Sequence, residues 1–208
     1  INDGKLQTID RIREMVRLAS GLDKHNYLDE ETQDRALACL ERFGQRIHRF
    51  PRESVRVVGT NTLRTAKNSP QFIKRAEAAL GHPIHVISGI EEARLIYQGV
   101  AHSLESDGAG KRLVMDIGGG STEYIIGTGI KPKRKESLSM GCVSMSKKFF
   151  KKGKLSNGKM QKAVLFAEQN LEPIQLDFSR NNWDEAIGAS GTLRSVGNIL
   201  EATGWSKH

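Results

Sequence analysis

The segment Asp116-Ile117-Gly118-Gly119-Gly120-Ser121-Thr122-Glu123 combines residue types suited to holding a phosphate. An apolar run, Leu113-Val114-Met115, delivers an aspartate to the end of an expected strand. Three glycines follow, and without Cβ atoms their backbone can approach an anion closely. Amides arrayed in such a turn form an anion-binding nest, and Ser121 and Thr122 add hydroxyl donors. Asp116 and Glu123 bracket the loop. Together they can hold a hard divalent cation against the same phosphate, because magnesium takes one or two carboxylates plus phosphate oxygens. The loop is not a dinucleotide fingerprint, which needs glycine where Glu123 stands and a helix afterwards. It is not a Walker loop either, which needs a lysine between Gly120 and Ser121.

Three further segments carry candidate chemistry. Ser88-Gly89-Ile90-Glu91-Glu92-Ala93-Arg94 sits at an expected strand-to-helix junction. Adjacent carboxylates in a first helical turn point about 100° apart, so one can face a site while the other faces solvent. Compensation of the helix dipole accounts for such a pair equally well. Gly188-Ala189-Ser190-Gly191-Thr192 is a small-residue loop before a helix, a second place for phosphate or ribose. Gly59-Thr60-Asn61-Thr62-Leu63-Arg64 ends in an arginine that can grip phosphate oxygens in bidentate fashion or simply form a surface ion pair.

The charge is concentrated. The 208-residue chain carries a net +8, yet residues 131–162 hold ten lysines and Arg134 against one acid, Glu136. The densest part is Lys147-Lys148-Phe149-Phe150-Lys151-Lys152-Gly153-Lys154. Such a block reads either as a solvated loop or as a surface for a polyanion. Little aromatic residue is interleaved and no nucleic-acid motif accompanies it, so no nucleic-acid partner is expected. At 38% hydrophobic and 27% charged residues, the chain can bury a core. No run approaches the roughly 18 apolar residues of a membrane helix. Ile1-Asn2-Asp3-Gly4 opens no signal segment. It also lacks an initiating Met, as expected for a piece of a longer chain. Cys39 and Cys142 are expected as reduced thiols, and no Cys/His set has zinc spacing.

The elements that position these segments alternate between helix and strand. A helix is expected over 29–50, capped by Asp29, with Leu37, Leu40, Phe43 and Ile47 as its apolar stripe and Pro51 as its stop. A strand over 55–58 follows, then a helix over 70–80 opened by Pro70, a strand over 84–87 and a helix near 91–101. Residues 103–111 read as loop or linker. Strands over 112–116 and 123–127 form an antiparallel hairpin around the glycine loop. Helices over 158–172 and 192–203 complete an α/β pattern.

These segments, in this order, resemble the exopolyphosphatase / guanosine-pentaphosphate phosphohydrolase family. The resemblance rests on Val58 to Arg64, Ile87 to Ile96, Asp116 to Glu123, Met140-Gly141-Cys142-Val143-Ser144 and Gly188 to Thr192, with Gly21-Leu22 and the helix after it also matching. It implies an α/β fold of the actin-like ATPase (ribonuclease H-like) type, with two α/β domains flanking a cleft, assigned to 1–98 and 99–208. It implies release of terminal orthophosphate from inorganic polyphosphate, or hydrolysis of the 5′-γ-phosphate of guanosine pentaphosphate. A non-catalytic polyanion-binding module is the alternative of another class, and a sugar or acetate kinase on the same fold is a further one. By the resemblance, Glu92 is the general base and Arg64 the phosphate-contacting arginine. Gly118, Gly119, Gly120, Ser121 and Thr122 form the phosphate loop, and Ser190, Gly191 and Thr192 the second loop. Asp116 and Glu123 are metal-binding acids for magnesium or another divalent cation, with potassium as an additional candidate. Lys147, Lys148, Lys151 and Lys152 become a track for the substrate chain. A cytoplasmic or membrane-peripheral homodimer is expected of the full-length protein. The family opens with a first phosphate loop, Asp-Leu-Gly-Ser-Asn-Ser. This chain is expected to begin after that loop and to end before its second domain is complete.

Overall fold

The structure is a computed structural model, and it describes residues 11–104 and 110–205. The loop expected over 103–111 therefore lies partly outside the described residues, as does Ile1 to Gly4. The chain forms two compact units that divide between Ile87 and Ser88. The sequence reading set the boundary eleven residues later, between 98 and 99. The difference is one helix, which packs on the sheet of the second unit rather than in the first.

The first unit contains helix α1 (Glu30–Ile47), strand β1 (Val57–Gly59), helices α2 (Asn61–Thr65) and α3 (Ser69–Leu80), and strand β2 (Ile84–Val86). Asp29 caps α1 as expected, accepting from the Thr32 N–H at 2.7 Å. Pro70 stands in the first turn of α3. Gly81 closes that helix in the left-handed conformation, φ +77°. β1 and β2 pair in parallel, Val57 opposite Ile84 and Gly59 opposite Val86. The core gathers Leu28, Ala36, Leu63, Ala66, Phe72 and Ala76. The buried face of α1 runs through Thr32, Ala36, Cys39 and Gly44, so the expected stripe of Leu37, Leu40, Phe43 and Ile47 is only half-buried. Small residues win that face because α3 comes close: a Cβ on Gly44 would stand 2.8 Å from the Leu80 carbonyl oxygen.

The second unit starts with helix α4 (Gly89–Ser103). Strands β3 (Lys111–Ile117), β4 (Thr122–Thr128) and β5 (Lys131–Leu138) follow, then helices α5 (Cys142–Phe149) and α6 (Asn157–Leu171), strand β6 (Glu185–Ala189) and helix α7 (Ser190–Ala202). The sheet order is β5-β4-β3-β6. The expected β3–β4 hairpin is antiparallel, with Asp116 opposite Glu123. β6 pairs with β3 in parallel, Asp116 opposite Ala189. One sheet face carries Val114, Ile125 and Ile187, and α4 covers it with Ala93, Ile96, Tyr97 and Val100. Tyr97 is fully buried and its hydroxyl donates to the Gly129 carbonyl.

β5 and α5 lie where the sequence reading had only a lysine-rich window. Of that window, residues 131–138 are an edge strand and 142–149 a helix, which corrects the solvated-loop alternative. Cys39 is buried, Cys142 is exposed, and both are free thiols. Among the described residues, no helix is long and apolar enough to cross a membrane.

Candidate functional site

The glycine loop is a four-residue connection between β3 and β4, closed by the Gly118 N–H donating to the Ser121 carbonyl at 2.9 Å. Its Gly118 and Gly119 carbonyls turn toward the first turn of α5. Cys142 N–H donates to Gly118 O at 2.9 Å, and Val143 and Ser144 N–H donate to Gly119 O at 2.9 and 3.0 Å. Thr122 Oγ1 donates to the Met140 carbonyl at 2.6 Å, which binds the start of β4 to the same segment. Among the described residues no hydrogen bond uses the N–H of Gly119 or Gly120. Those two amides are therefore available to an anion.

Two carboxylates face each other beside the loop. Asp116 and Glu123 are register partners on the sheet face that α4 covers. Glu123 is 1% exposed. Its Oε1 accepts from Ser137 Oγ of β5 at 2.8 Å, and Ser121 is a second side-chain partner. Burial pushes its carboxyl above the usual carboxylate range. The two hydrogen bonds pull it down, and the charges of Glu92 and Asp116 push it up further. The influence of Glu92 puts the first turn of α4 at this end of the sheet. Asp116 Oδ1 is buried with no hydrogen-bond partner. A buried carboxylate oxygen without a donor, beside a second buried acid, suits a hard divalent cation. No cluster of three or more His, Cys, Asp or Glu side chains is placed to hold a metal among the described residues, so a cation here would take its remaining ligands from phosphate and water.

The two adjacent glutamates of α4 have different surroundings. Ser88 caps the helix, its Oγ accepting from the Glu91 N–H. Glu91 grips Arg94 with both oxygens, at 2.6 and 2.7 Å, and this pairing holds its carboxyl below the usual range. Glu92, one residue on and half-buried, is close enough to Glu123 for its charge to raise that carboxyl.

The second loop borders the first. Ser190 Oγ donates to the Ile117 carbonyl at 3.3 Å, and Thr192 Oγ1 to Cys142 Sγ at 3.7 Å. Ser190 holds a left-handed backbone, φ +75°. A non-glycine residue in that region is strained, and such strain gathers at functional sites. Asp116, Gly118 to Glu123, Ser190 to Thr192 and Glu92 thus come together at one end of the second unit.

Lys147 and Lys148 are exposed on the last turn of α5, and Lys151 and Lys152 follow in a single 3-10 turn. Lys147 lies about 7.5 Å further along α5 than Cys142, by the rise of an α-helix. Lys148 stacks its ammonium over Phe166, 3.4 Å from the ring centroid. Arg64 belongs to the first unit. Its guanidinium donates to the Ile87 carbonyl at 2.7 Å, anchoring it where β1 and β2 end. Sequence reasoning assigned no task to Ser137, Gly141 or Ser144, although Met140 to Ser144 was recognised as a motif. A glycine followed by serines interspersed with apolar residues, Cys142 to Ser146, was the local sign.

Comparison with known proteins matches residues 1–207 to the model of the Ppx/GppA phosphatase family. A guanosine-5′-triphosphate,3′-diphosphate pyrophosphatase of Vibrio vulnificus is 48% identical over 202 residues, and one of Vibrio parahaemolyticus 46%. Each alignment takes in 97% of this chain and 40% of the relative, so the chain spans well under half the length of these curated relatives. Among solved structures, the Aquifex aeolicus PPX-GPPA enzyme superposes with TM-score 0.76 at 29% identity, covering 97% of this chain and 65% of the other. An exopolyphosphatase from Cytophaga hutchinsonii gives 0.78 at 26%, covering 93% and 62%. The expected fold class, α/β of the actin-like ATPase type, is borne out.

Proposed function

The chain belongs to the Ppx/GppA phosphatase family, and from that premise we propose that the whole protein hydrolyses the terminal phosphoanhydride bond of a phosphate chain and releases orthophosphate. The observation that carries this reading is the pair of unused Gly119 and Gly120 amides in the loop that joins the half-buried Asp116 to the buried Glu123. Phosphoryl transfer depends on positioning and on neutralising charge. The loop amides, with Ser121 and Thr122, hold the oxygens of the terminal phosphate. Ser190, Gly191 and Thr192 hold the next part of the chain. Glu92 takes a proton from a water whose oxygen attacks the terminal phosphorus, and the bond to the bridging oxygen breaks. Glu91 is less suited to that task because Arg94 occupies both of its oxygens. Arg64 keeps the phosphate-contacting role that the resemblance implies. Asp116 and Glu123 would hold a divalent cation, which supplies charge neutralisation on the anhydride oxygens when bound.

Two substrates fit this chemistry. The relatives at 46–48% identity are named for guanosine-5′-triphosphate,3′-diphosphate, which supports the nucleotide. The lysines on the last turn of α5 and just after it support inorganic polyphosphate, the longer anion. The whole protein is proposed to act as a cytoplasmic homodimer. The deciding experiment is phosphate release from guanosine pentaphosphate and from long-chain polyphosphate in parallel, with magnesium and with chelator. Metal-dependent release from either establishes the hydrolase, and the ratio of kcat/KM values assigns the substrate. Binding of both without release would overturn the hydrolase reading in favour of a polyanion-binding module.

A further inference from the structure

We propose that Gly141 and Ser144 are positioning residues for the phosphate loop: through the first turn of α5 they fix the peptide planes of Gly118–Gly119 and Gly119–Gly120, so that the Gly119 and Gly120 amides face the substrate. This inference rests on the phosphate-binding part of the function proposed above. In a trans peptide the carbonyl of one residue and the N–H of the next point in opposite directions. The described backbone contains no cis peptide. The Gly118 and Gly119 carbonyls are held by three amides of α5, from Cys142, Val143 and Ser144. The Gly119 and Gly120 N–H groups must then point away from α5. A glycine loop left to itself samples many orientations and loses more freedom on ordering than any other sequence. Three directed hydrogen bonds remove that freedom before an anion arrives, which is the preorganisation that makes fixed donors effective.

Gly141 is what lets α5 come close enough. A Cβ at this position would stand 2.6 Å from Gly118 O, Gly119 C and Gly120 N. All three are backbone atoms of the loop, so no flexible side chain can give way. Its φ of −146° is open to any residue, so the requirement is for space and not for backbone freedom. Ser144 fixes the same turn from the other side. Its Oγ accepts from the Gly141 N–H at 2.9 Å and also lies 3.1 Å from the Gly141 carbonyl. A serine three residues into the turn thus satisfies a backbone donor that the helix itself cannot.

The test uses the complete protein labelled with 15N-glycine and titrated with inorganic phosphate, a readout that needs no turnover. In the wild type the Gly119 and Gly120 resonances shift saturably. In Gly141→Ala that response weakens by roughly ten-fold or more, with kcat lower by on the order of 100-fold, the scale of losing one fixed oxyanion donor. The Gly127 and Gly188 resonances, in β4 and β6, report whether the sheet is intact and are expected to stay in place. If Gly141→Ala does not fold, Ser144→Ala supplies the test: its phosphate response weakens several-fold and Ser144→Thr restores it. A folded Gly141→Ala, or a Ser144→Ala, with the wild-type phosphate response would overturn the proposal. Wild-type amides that ignore phosphate would overturn it as well. Wild-type amides that respond, in a protein that hydrolyses neither substrate, would leave it standing and remove the hydrolase reading instead.

Discussion

Glu91 and Glu92 are neighbours of one residue type, and their partners separate them. Glu91 is committed to Arg94, whereas Glu92 lies within reach of Glu123 and raises its carboxyl by charge. Glu92→Gln keeps the shape and removes the base. It is expected to lower kcat roughly 1000-fold, within the usual range for a general base, while substrate affinity stays within a few-fold. Phosphate release and equilibrium binding on the same variant check this, and near-wild-type turnover would remove Glu92 from the mechanism. Glu123 gives a stability prediction. Its folded-state carboxyl titrates above the unfolded one, chiefly because it is buried. The folded chain therefore holds the proton more tightly than the unfolded chain does. The stability this contributes is full below about pH 4.3, the unfolded glutamate value, and is lost as pH rises through the raised folded value. Glu123→Gln has no such charge to desolvate. Its Tm relative to wild type, in chelator, is expected to rise between acidic and neutral pH, and parallel Tm curves for the two proteins would contradict the assignment.

Helix α4 is held against the sheet by a close fit at the end of β4 away from the glycine loop. A Cβ on Gly127 would stand 2.3 Å from Tyr97 Cζ and 2.6 Å from the Lys131 carbonyl oxygen. Tyr97 is fully buried and cannot swing out. Gly127→Ala is expected to destabilise the protein by about 3 kcal/mol, the upper part of the usual overpacking range. Tyr97→Phe, which leaves the Gly129 carbonyl without its donor, should cost about 1 kcal/mol. Denaturant unfolding measures both, and a cost for Gly127→Ala no greater than that of Tyr97→Phe would mean that α4 is not seated by this contact. The elements that announced themselves did so through local chemistry. Asp29 and Pro70 marked helix starts, and the glycines between two apolar runs marked the β3–β4 hairpin. β5 gave no such signal: Lys131-Pro132-Lys133-Arg134-Lys135-Glu136 does not alternate apolar with polar. It is an edge strand, where lysine and proline discourage pairing with other chains. α5 was hidden because eight residues with two lysines in the last turn carry little periodicity. The segments of the candidate site were visible as motifs for the same reason as the hairpin. The support from Gly141 and Ser144 was not, because it runs through backbone hydrogen bonds from a segment more than twenty residues downstream of the loop.

At the scale of the whole molecule the charge is not spread evenly: residues 131–162 carry a local +10 in a chain of net +8. Folding gives this excess a place. Lys147 and Lys148 end the helix whose first turn supports the glycine loop, and Lys151 and Lys152 follow directly. A phosphate chain with its terminal unit on the loop amides would need about 7.5 Å or more of further length to reach Lys147, the helical distance given above. The lysines should therefore act on long polyphosphate more than on a nucleotide whose triphosphate ends nearby. Lys148 is exposed even as it lies over Phe166, so it counts with the other three lysines. By analogy with nucleic acid, each neutralised phosphate releases a counterion, and the slope of log affinity against log salt reports the number of contacts. Replacing Lys147, Lys148, Lys151 and Lys152 by glutamine is expected to flatten that slope by about two to three units for long polyphosphate. The slope for guanosine pentaphosphate should stay nearly unchanged. Affinity measured from low to physiological salt for both ligands tests this directly. An unchanged slope for polyphosphate would return the four lysines to the role of a solvated surface, and an equal change for both ligands would mean that they contact the first few phosphates rather than the far end of the chain.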